Sequence, residues 1–395
     1  MGALDGLKVI DVGVLVQAPQ CAALLRDFGA EVVKVELPGF GDQSRWLPVE
    51  IGDPRSAYFT ACNRGKRSAT IDLRTPLGKE VFLRLVAEVD VLVSNFKPGT
   101  LDAWGLGYEQ LAAVNPRLIY AAGSAFGHVG VDAPREGADL SAQALGGLIS
   151  ATGTDEGEPT PIAVTICDHI ASLNLVSGIL AALVARGRTG RGQRIEVSLL
   201  GTQIWAQASE YTAYLLNGKL PGRPNGGHPL IAGVYGVFPT ADGHIAMVGV
   251  VGAKRPEFYE LIGRPDLWAQ PRFSAGLVAP DDKKELFAEL AKEFRKRTTA
   301  EWSALLRTAD MRFAPVQTYA DVVADPQTWE NGYLAKVTGP GGAETTVVAS
   351  PVWFSDTPAT TGDIAPELGQ HTEEVLLELG YSWEEIESLR AAGAV

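Results

Sequence analysis

Two short apolar runs, LKVIDV at 7–12 and EVVKVE at 31–36, flank APQCAALLRDFGA, whose apolar residues recur at helical spacing until Gly29. Strand, helix and strand in so short a span form a βαβ unit, and the pattern then repeats. TPLGKEVFLRLVAEV reads as a helix with a proline near its start, and DVLVSNF (90–96) and RLIYAAG (117–123) read as strands. Alternation of this kind demands a parallel sheet covered by helices on both faces, so the fold class is α/β. RGRTGRGQRIEVSLL adds a basic, glycine-rich turn and a strand at 194–200, and the α/β pattern runs to about residue 225.

The texture changes after that. GGHPLIAGVYGVFPTADGHIAMVGV (226–250) has the form of a hairpin turning at ADG, and DDKKELFAELAKEFRKRT is a clear amphipathic helix. Residues 1–225 are therefore expected to form a large Rossmann-like domain and 226–330 a smaller α+β domain. The two short helical patterns after about 331 are expected to return to the large domain. A chain of 395 residues suits two such domains.

Composition narrows the function classes. The net charge of -13, with Lys and Arg scattered, argues against nucleic acid as a partner. Three cysteines, Cys21, Cys62 and Cys167, have no CxxC spacing, which suggests neither a disulfide framework nor a zinc site. The N-terminal residues lack a basic region followed by an apolar segment. Apolar stretches look shorter than the ~18 residues of a membrane span, so a cytoplasmic protein with no membrane contact is expected. The loop after the first strand, GVLVQAPQ, has one glycine where a dinucleotide fingerprint needs three. GxxxxGK[ST], HExxH and GxSxG are absent, and five scattered histidines make a metal cluster unexpected.

Three stretches carry chemistry. CNRGKRSATIDLRTP (62–76) gathers Arg64, Lys66, Arg67 and Arg74, which suits either a phosphate group or a solvated loop. SNFKPGTLDAWGLGYEQL puts Asn95, Phe96 and Lys97 after a buried strand, where they could meet an adenine and a phosphate or simply cap the strand. TICDHIASLN places Asp168 between Ile166 and Ile170 ahead of a long apolar helix. A carboxylate there is costly unless used or satisfied, and a helix N-cap is the simplest way to satisfy it.

Together these stretches resemble the class III CoA-transferases, the CaiB/BaiF family. The likeness rests on eight segments in order: LDGLKVIDVG, LLRDFGAEVVKVELPGFGD, YFTACNRGKRSATIDLRTPLGKE, VLVSNFKPGTLDAWGLGYEQL, NPRLIYAAGSAFG, ADLSAQALGGLISATG, GILAALVARGRTGRGQRIEVSLL and LGQHTEEVLLELGYS. The resemblance implies that Asp168 is the nucleophile. It also implies that CoA is held by Leu15 and Val16, by Ile71 and Arg74, and by Asn95, Phe96 and Lys97. Acyl-CoA and a carboxylic acid would be the substrates, with no tightly bound cofactor. An interlocked homodimer is implied, its large domain built from both chain ends.

Two departures stand out. Ala103 and Trp104 occupy a stretch where many members carry a basic residue. Ala138, before Asp139, stands where the racemase branch of the family has a catalytic histidine. Transfer of CoA is thus expected over 2-methylacyl-CoA racemisation or a CoA-binding role without catalysis. Gly226 and Gly227, with Ala138, are the expected substrate-loop residues.

Overall fold

The structure is a computed structural model describing residues 1–395 apart from 225, 226, 232, 276, 277, 340, 341 and 343. Six parallel strands form the main sheet: β1 (Lys8–Asp11), β2 (Glu31–Glu36), β3 (Arg67–Thr70), β4 (Val91–Ser94), β5 (Ile119–Ser124) and β6 (Arg194–Ser198). Their order is β3-β2-β1-β4-β5-β6, the doubly wound order in which the chain reverses direction between β1 and β4. Ile10 lies between Val33 and Leu92 in this register.

The central strands are buried on both faces, and alternate residues supply two cores. Ile10, Val33 and Leu92 point to one, shared with Phe82, Leu85 and Val86 of helix α1 (Pro76–Ala87). Val9, Val32, Val91 and Val93 point to the other, shared with Leu175, Val176 and Ile179 of helix α2 (Ile166–Thr189). This explains why these strands read as unbroken apolar runs. Two C-terminal helices, Thr372–Glu378 and Trp383–Ala391, place Val375, Leu376, Ile386 and Leu389 in the first core.

Helix α2 corrects one expectation. It has 24 residues with a mean hydropathy of 1.6 in its most apolar window, long and apolar enough to cross a membrane by length and composition. Its buried residues Leu175, Ile179 and Ala182 belong to the second core, and Ala171 packs with Cys167, Ala142 and Leu199, so the apolar character has a packing cause.

The described chain divides into two compact units, Met1–Gly146 with Ala163–Ala206 and Asp325–Val395, and Gly147–Ile162 with Gln207–Ala324. These bounds differ from a break at 225/226. Within the second unit, Glu210 pairs with His228 at 3.4 Å, and Arg223 donates to Ser150 O at 3.1 Å and Thr154 O at 2.7 Å. Such contacts draw 207–224 and 147–162 into that unit. Its sheet is antiparallel, with β7 (Val234–Pro239), β8 (His244–Val250) and β9 (Phe313–Pro315). The hairpin starts at Val234 rather than 226, and the strand expected at 194–200 ends at Ser198, where a helix begins.

Candidate active site

Asp168 is the third residue of α2 and not its cap. Thr165 holds the N-cap position without a side-chain bond. The free N–H groups are met from another element: Cys167 N and Asp168 N donate to Asp139 Oδ1 at 2.6 and 3.2 Å. Asp139 opens helix α3 (Asp139–Leu145), and its second oxygen accepts from Gln143 Nε2 at 2.6 Å. The first turn of α2 is thereby satisfied, and the Asp168 carboxyl group is left for other work.

That carboxyl is half-buried and pushed up to about 7, first by burial and then by the negative charge of Asp139. The backbone N–H of Gln17 opposes the shift by bonding the charged form. Near neutral pH the group is therefore poised between its two forms, a condition matched to chemistry at that pH. Burial and Asp139 push the neighbouring Cys167 thiol up to about 12, and its Sγ lies 2.9 Å from Gln203 Oε1. This thiol is inert at physiological pH. Burial lowers His169, which favours its neutral form.

Gln17, absent from the residues singled out in the sequence, belongs to this site. Its carbonyl accepts from Ser172 Oγ at 2.7 Å, fastening it to α2 one turn beyond Asp168. Its side chain is buried, and its Nε2 has no acceptor among the described residues. Gly123 of β5 makes room for it: a Cβ there would lie 2.4 Å from Gln17 Oε1.

A groove of about 240 Å³ opens at the carboxyl ends of β1, β2 and β4, beside the point where strand order reverses. It gathers three of the expected CoA contacts, Ile71, Arg74 and Phe96, with Val14, Leu37, Phe40, Asp42 and Trp104. Phe96 and Trp104 meet edge to face at 5.6 Å, giving one wall an aromatic surface. Arg74 is exposed, with its guanidinium on Asp72 at 2.8 Å through both Nε and Nη2. Lys97 is exposed beside Phe96.

The Asn95 side chain bonds within the fold. Its Oδ1 accepts from Val14 N at 2.8 Å, and its Nδ2 donates to Val14 O at 2.8 Å. The amide ties the loop after β4 to the loop after β1. Leu15 and Val16 continue that first loop into helix Gln17–Asp27.

The basic stretch at 62–76 proves to be neither a phosphate cluster nor a solvated loop. Arg64 is buried against Asp27 and donates to Ala61 O at 3.0 Å. Lys66 is buried and donates to Asp11 Oδ2, Pro19 O and Asn63 Oδ1 at 2.7, 2.8 and 2.9 Å. Arg67 pairs with Glu374 and Glu378 at 2.8 and 2.7 Å. Only Arg74 of the four lines the groove.

Ala138 is exposed and precedes α3, its N–H donating to Ser141 Oγ at 3.3 Å. Gly226 lies outside the described residues. Gly227 bridges Gly236, and a Cβ on it would lie 2.7 Å from Tyr235 O. Lys283 donates to His228 O and Ile231 O at 3.0 and 3.1 Å, which ties down the loop after Gly227. Among the described residues there is no group of three or more His, Cys, Asp or Glu side chains suited to a metal.

Comparison with known proteins places this geometry. A family model, "CoA-transferase family III", matches residues 4–372. The chain is 36% identical to the succinyl-CoA:mesaconate CoA-transferase of Haloarcula marismortui, covering 96% of this chain and 97% of that protein. It is 32% identical to human succinyl-CoA:glutarate CoA-transferase, covering 99% and 90%. Among solved structures, a CaiB/BaiF family protein from Brucella suis superimposes with a TM-score of 0.84 at 37% identity, covering 96% of this chain and 100% of that one. An aspartate-to-alanine mutant of Rv3272 from Mycobacterium tuberculosis gives 0.84 at 33% identity, covering 95% and 98%. The chain belongs to CoA-transferase family III, the CaiB/BaiF family, and is an enzyme of that class.

Proposed function

We propose that this enzyme moves CoA from an acyl-CoA donor to a carboxylic acid, with Asp168 as the covalent nucleophile. The observation that carries the reading is the placing of Asp168: it is half-buried at the start of α2, Asp139 takes the N–H groups that it would otherwise cap, and burial pushes its carboxyl up to about 7. A carboxylate stripped of water attacks more readily than a hydrated one, and N–H donors fixed beside it stabilise an oxyanion.

An Asp168 oxygen attacks the donor thioester carbon, and the C–S bond breaks to give a mixed anhydride and CoA thiolate. The thiolate then attacks the aspartyl carbonyl of the anhydride. This expels the donor acid as its carboxylate and leaves an aspartyl-CoA thioester. The acceptor carboxylate attacks that thioester, releasing thiolate and forming a second anhydride. Attack of the thiolate on the acceptor carbonyl completes acceptor-CoA and restores the Asp168 carboxylate. One thioester replaces another, so the exchange is near balance and calls for no tightly bound cofactor.

The groove beside Phe96 and Trp104 suits the adenine end of CoA, with Arg74 and Lys97 as cations for its phosphates. Leu15, Val16, Ile71 and Asn95 form or brace its walls. Ala138 offers a methyl group and no second base, which favours transfer over racemisation. A homodimer, interlocked as the resemblance implies, and a cytoplasmic location complete the proposal.

The test pairs transfer with trapping. Incubation with succinyl-CoA, the donor named in the relatives' activities, and with a panel of other acyl-CoA donors should leave Asp168 as its hydroxamate when hydroxylamine is added. Asp168→Ala should lower transfer by at least about 10³-fold. Full transfer by that variant would sink the mechanism. Solvent deuterium entering the α-carbon without CoA exchange would favour racemisation.

A further inference from the structure

Beneath the groove lies a set of buried charges that acyl transfer does not use directly. Lys34 and Asp42 are fully buried and paired at 2.9 Å, and Lys34 also reaches Asp11 at 3.6 Å and Gly13 O at 2.8 Å. Charges taken so far from water are kept only where geometry repays them. Here they are aimed at one loop, the three residues that follow Val12.

Asp42 Oδ1 accepts from Leu15 N at 3.0 Å as well as from Ser44 N and Oγ, both at 2.8 Å. Asp11 Oδ1 accepts from Gly13 N at 2.8 Å. With Lys34 on Gly13 O and Asn95 on both polar atoms of Val14, side chains hold this loop at five backbone atoms. Leu15 has φ of +63°, one of two positive values among the described non-glycine residues. A leucine stays in that left-handed region only when its surroundings hold it there.

Two residues further on, Gln17 begins a helix, and Ser172 Oγ, which lies 2.7 Å from Gln17 O and 2.8 Å from Asp168 O, joins it to the turn that carries Asp168, whose charged form the Gln17 N–H favours. We infer that Asp42, paired with Lys34, is a positioning residue for acyl transfer: by holding Leu15 left-handed it fixes where the Gln17 N–H meets Asp168. The inference rests on Asp168 being the nucleophile. Asp42 itself touches the loop and not the reacting atoms.

The position of Gln17 N–H is readable in the acid limb of Asp168 acylation. This N–H bonds the charged carboxylate and so lowers the Asp168 pKa, while burial and Asp139 raise it. The other titratable groups around it are Cys167 and His169 on its own helix, and neither gains charge near neutrality. Loss of the N–H therefore raises the Asp168 pKa and moves the limb to higher pH. A shift of half to one unit lowers the rate below the limb by about three- to tenfold and leaves the high-pH plateau less affected.

The experiment measures hydroxylamine-trapped Asp168 against pH, with kcat and KM, in full-length protein. Asp42→Ala is made together with Lys34→Met so that no buried charge is stranded. The limb should move up in pH and kcat should fall. Adding Leu15→Gly, which takes a positive φ without strain, should recover part of both. An unmoved limb with a reduced amplitude, or no recovery with glycine, overturns the inference. If the double variant does not fold, Asp42→Asn together with Lys34→Met replaces it: an amide oxygen still accepts from Leu15 N and no buried charge is stranded, so the limb should stay in place, and a moved limb overturns the inference. Absence of trapped acyl group in the unaltered enzyme with every donor would instead refute the transferase mechanism itself.

Discussion

Asp139 and Asp168 illustrate how two carboxyl groups can divide one helix terminus. Asp139 takes the N–H groups of Cys167 and Asp168, and in doing so places a negative charge beside the group it frees. That charge is the second cause, after burial, of the raised Asp168 pKa. Asp139→Asn keeps an oxygen for the two N–H groups while removing the charge. The Asp168 carboxylate then forms more easily, and the acid limb of acylation should move down by about one pH unit. The Cys167 thiol, also raised by Asp139, should become more reactive toward iodoacetamide above pH 9. An acid limb that stays fixed in this variant would mean that burial alone sets the Asp168 pKa. None of this was legible locally: an aspartate after two apolar residues at a helix start reads as a cap, and the carboxylate that takes the N–H groups lies 29 residues before Asp168 in the chain.

At the scale of elements, the β1 to α2 relation depends on a glycine inside a strand. Gly123 is buried in β5, where glycine weakens a strand unless something approaches closely. The Gln17 amide is what approaches. Gly123→Ala pushes that amide away from its place while leaving the strand's ladder intact. Acylation of Asp168 should fall about ten- to a hundredfold, as for a misplaced group near reacting atoms, while Tm should drop by no more than a few degrees. A large loss of Tm with a normal rate per folded molecule would contradict this reading. The same scale shows what sequence patterns can reveal. β1, β2 and β4 were readable because their burial on both faces demands unbroken apolar runs. β3, RSAT, escaped notice because a four-residue edge strand has two fully buried residues and little pattern. Arg64 and Lys66 looked like a ligand cluster because their partners, Asp27 and Asp11, lie 37 and 55 residues away.

For the whole molecule, the family and the sheet were readable from segment order, whereas the site needed contacts between distant parts of the chain. Gln17 joins the site through its backbone carbonyl, which accepts from Ser172 Oγ, and a backbone group has no residue signature at all. The outer surface carries a further consequence. Trp205, Leu215, Leu216, Leu220 and Trp353 are each more than two-thirds exposed in the single chain. Leu215, Leu216 and Leu220 fall close together in the chain, and exposed apolar groups that lie side by side mark surfaces that meet another protein. A second copy of the chain is the partner proposed here. Static light scattering behind gel filtration should give twice the 41.9 kDa chain mass at micromolar concentration. Because an interlocked pair cannot part without partial unfolding, dilution to nanomolar should leave the mass unchanged over hours, and mixing two tagged forms should produce no hybrid until denaturant is added. Rapid exchange of tagged subunits would leave a dimer of side-by-side chains, and a mass of one chain would remove the dimer altogether.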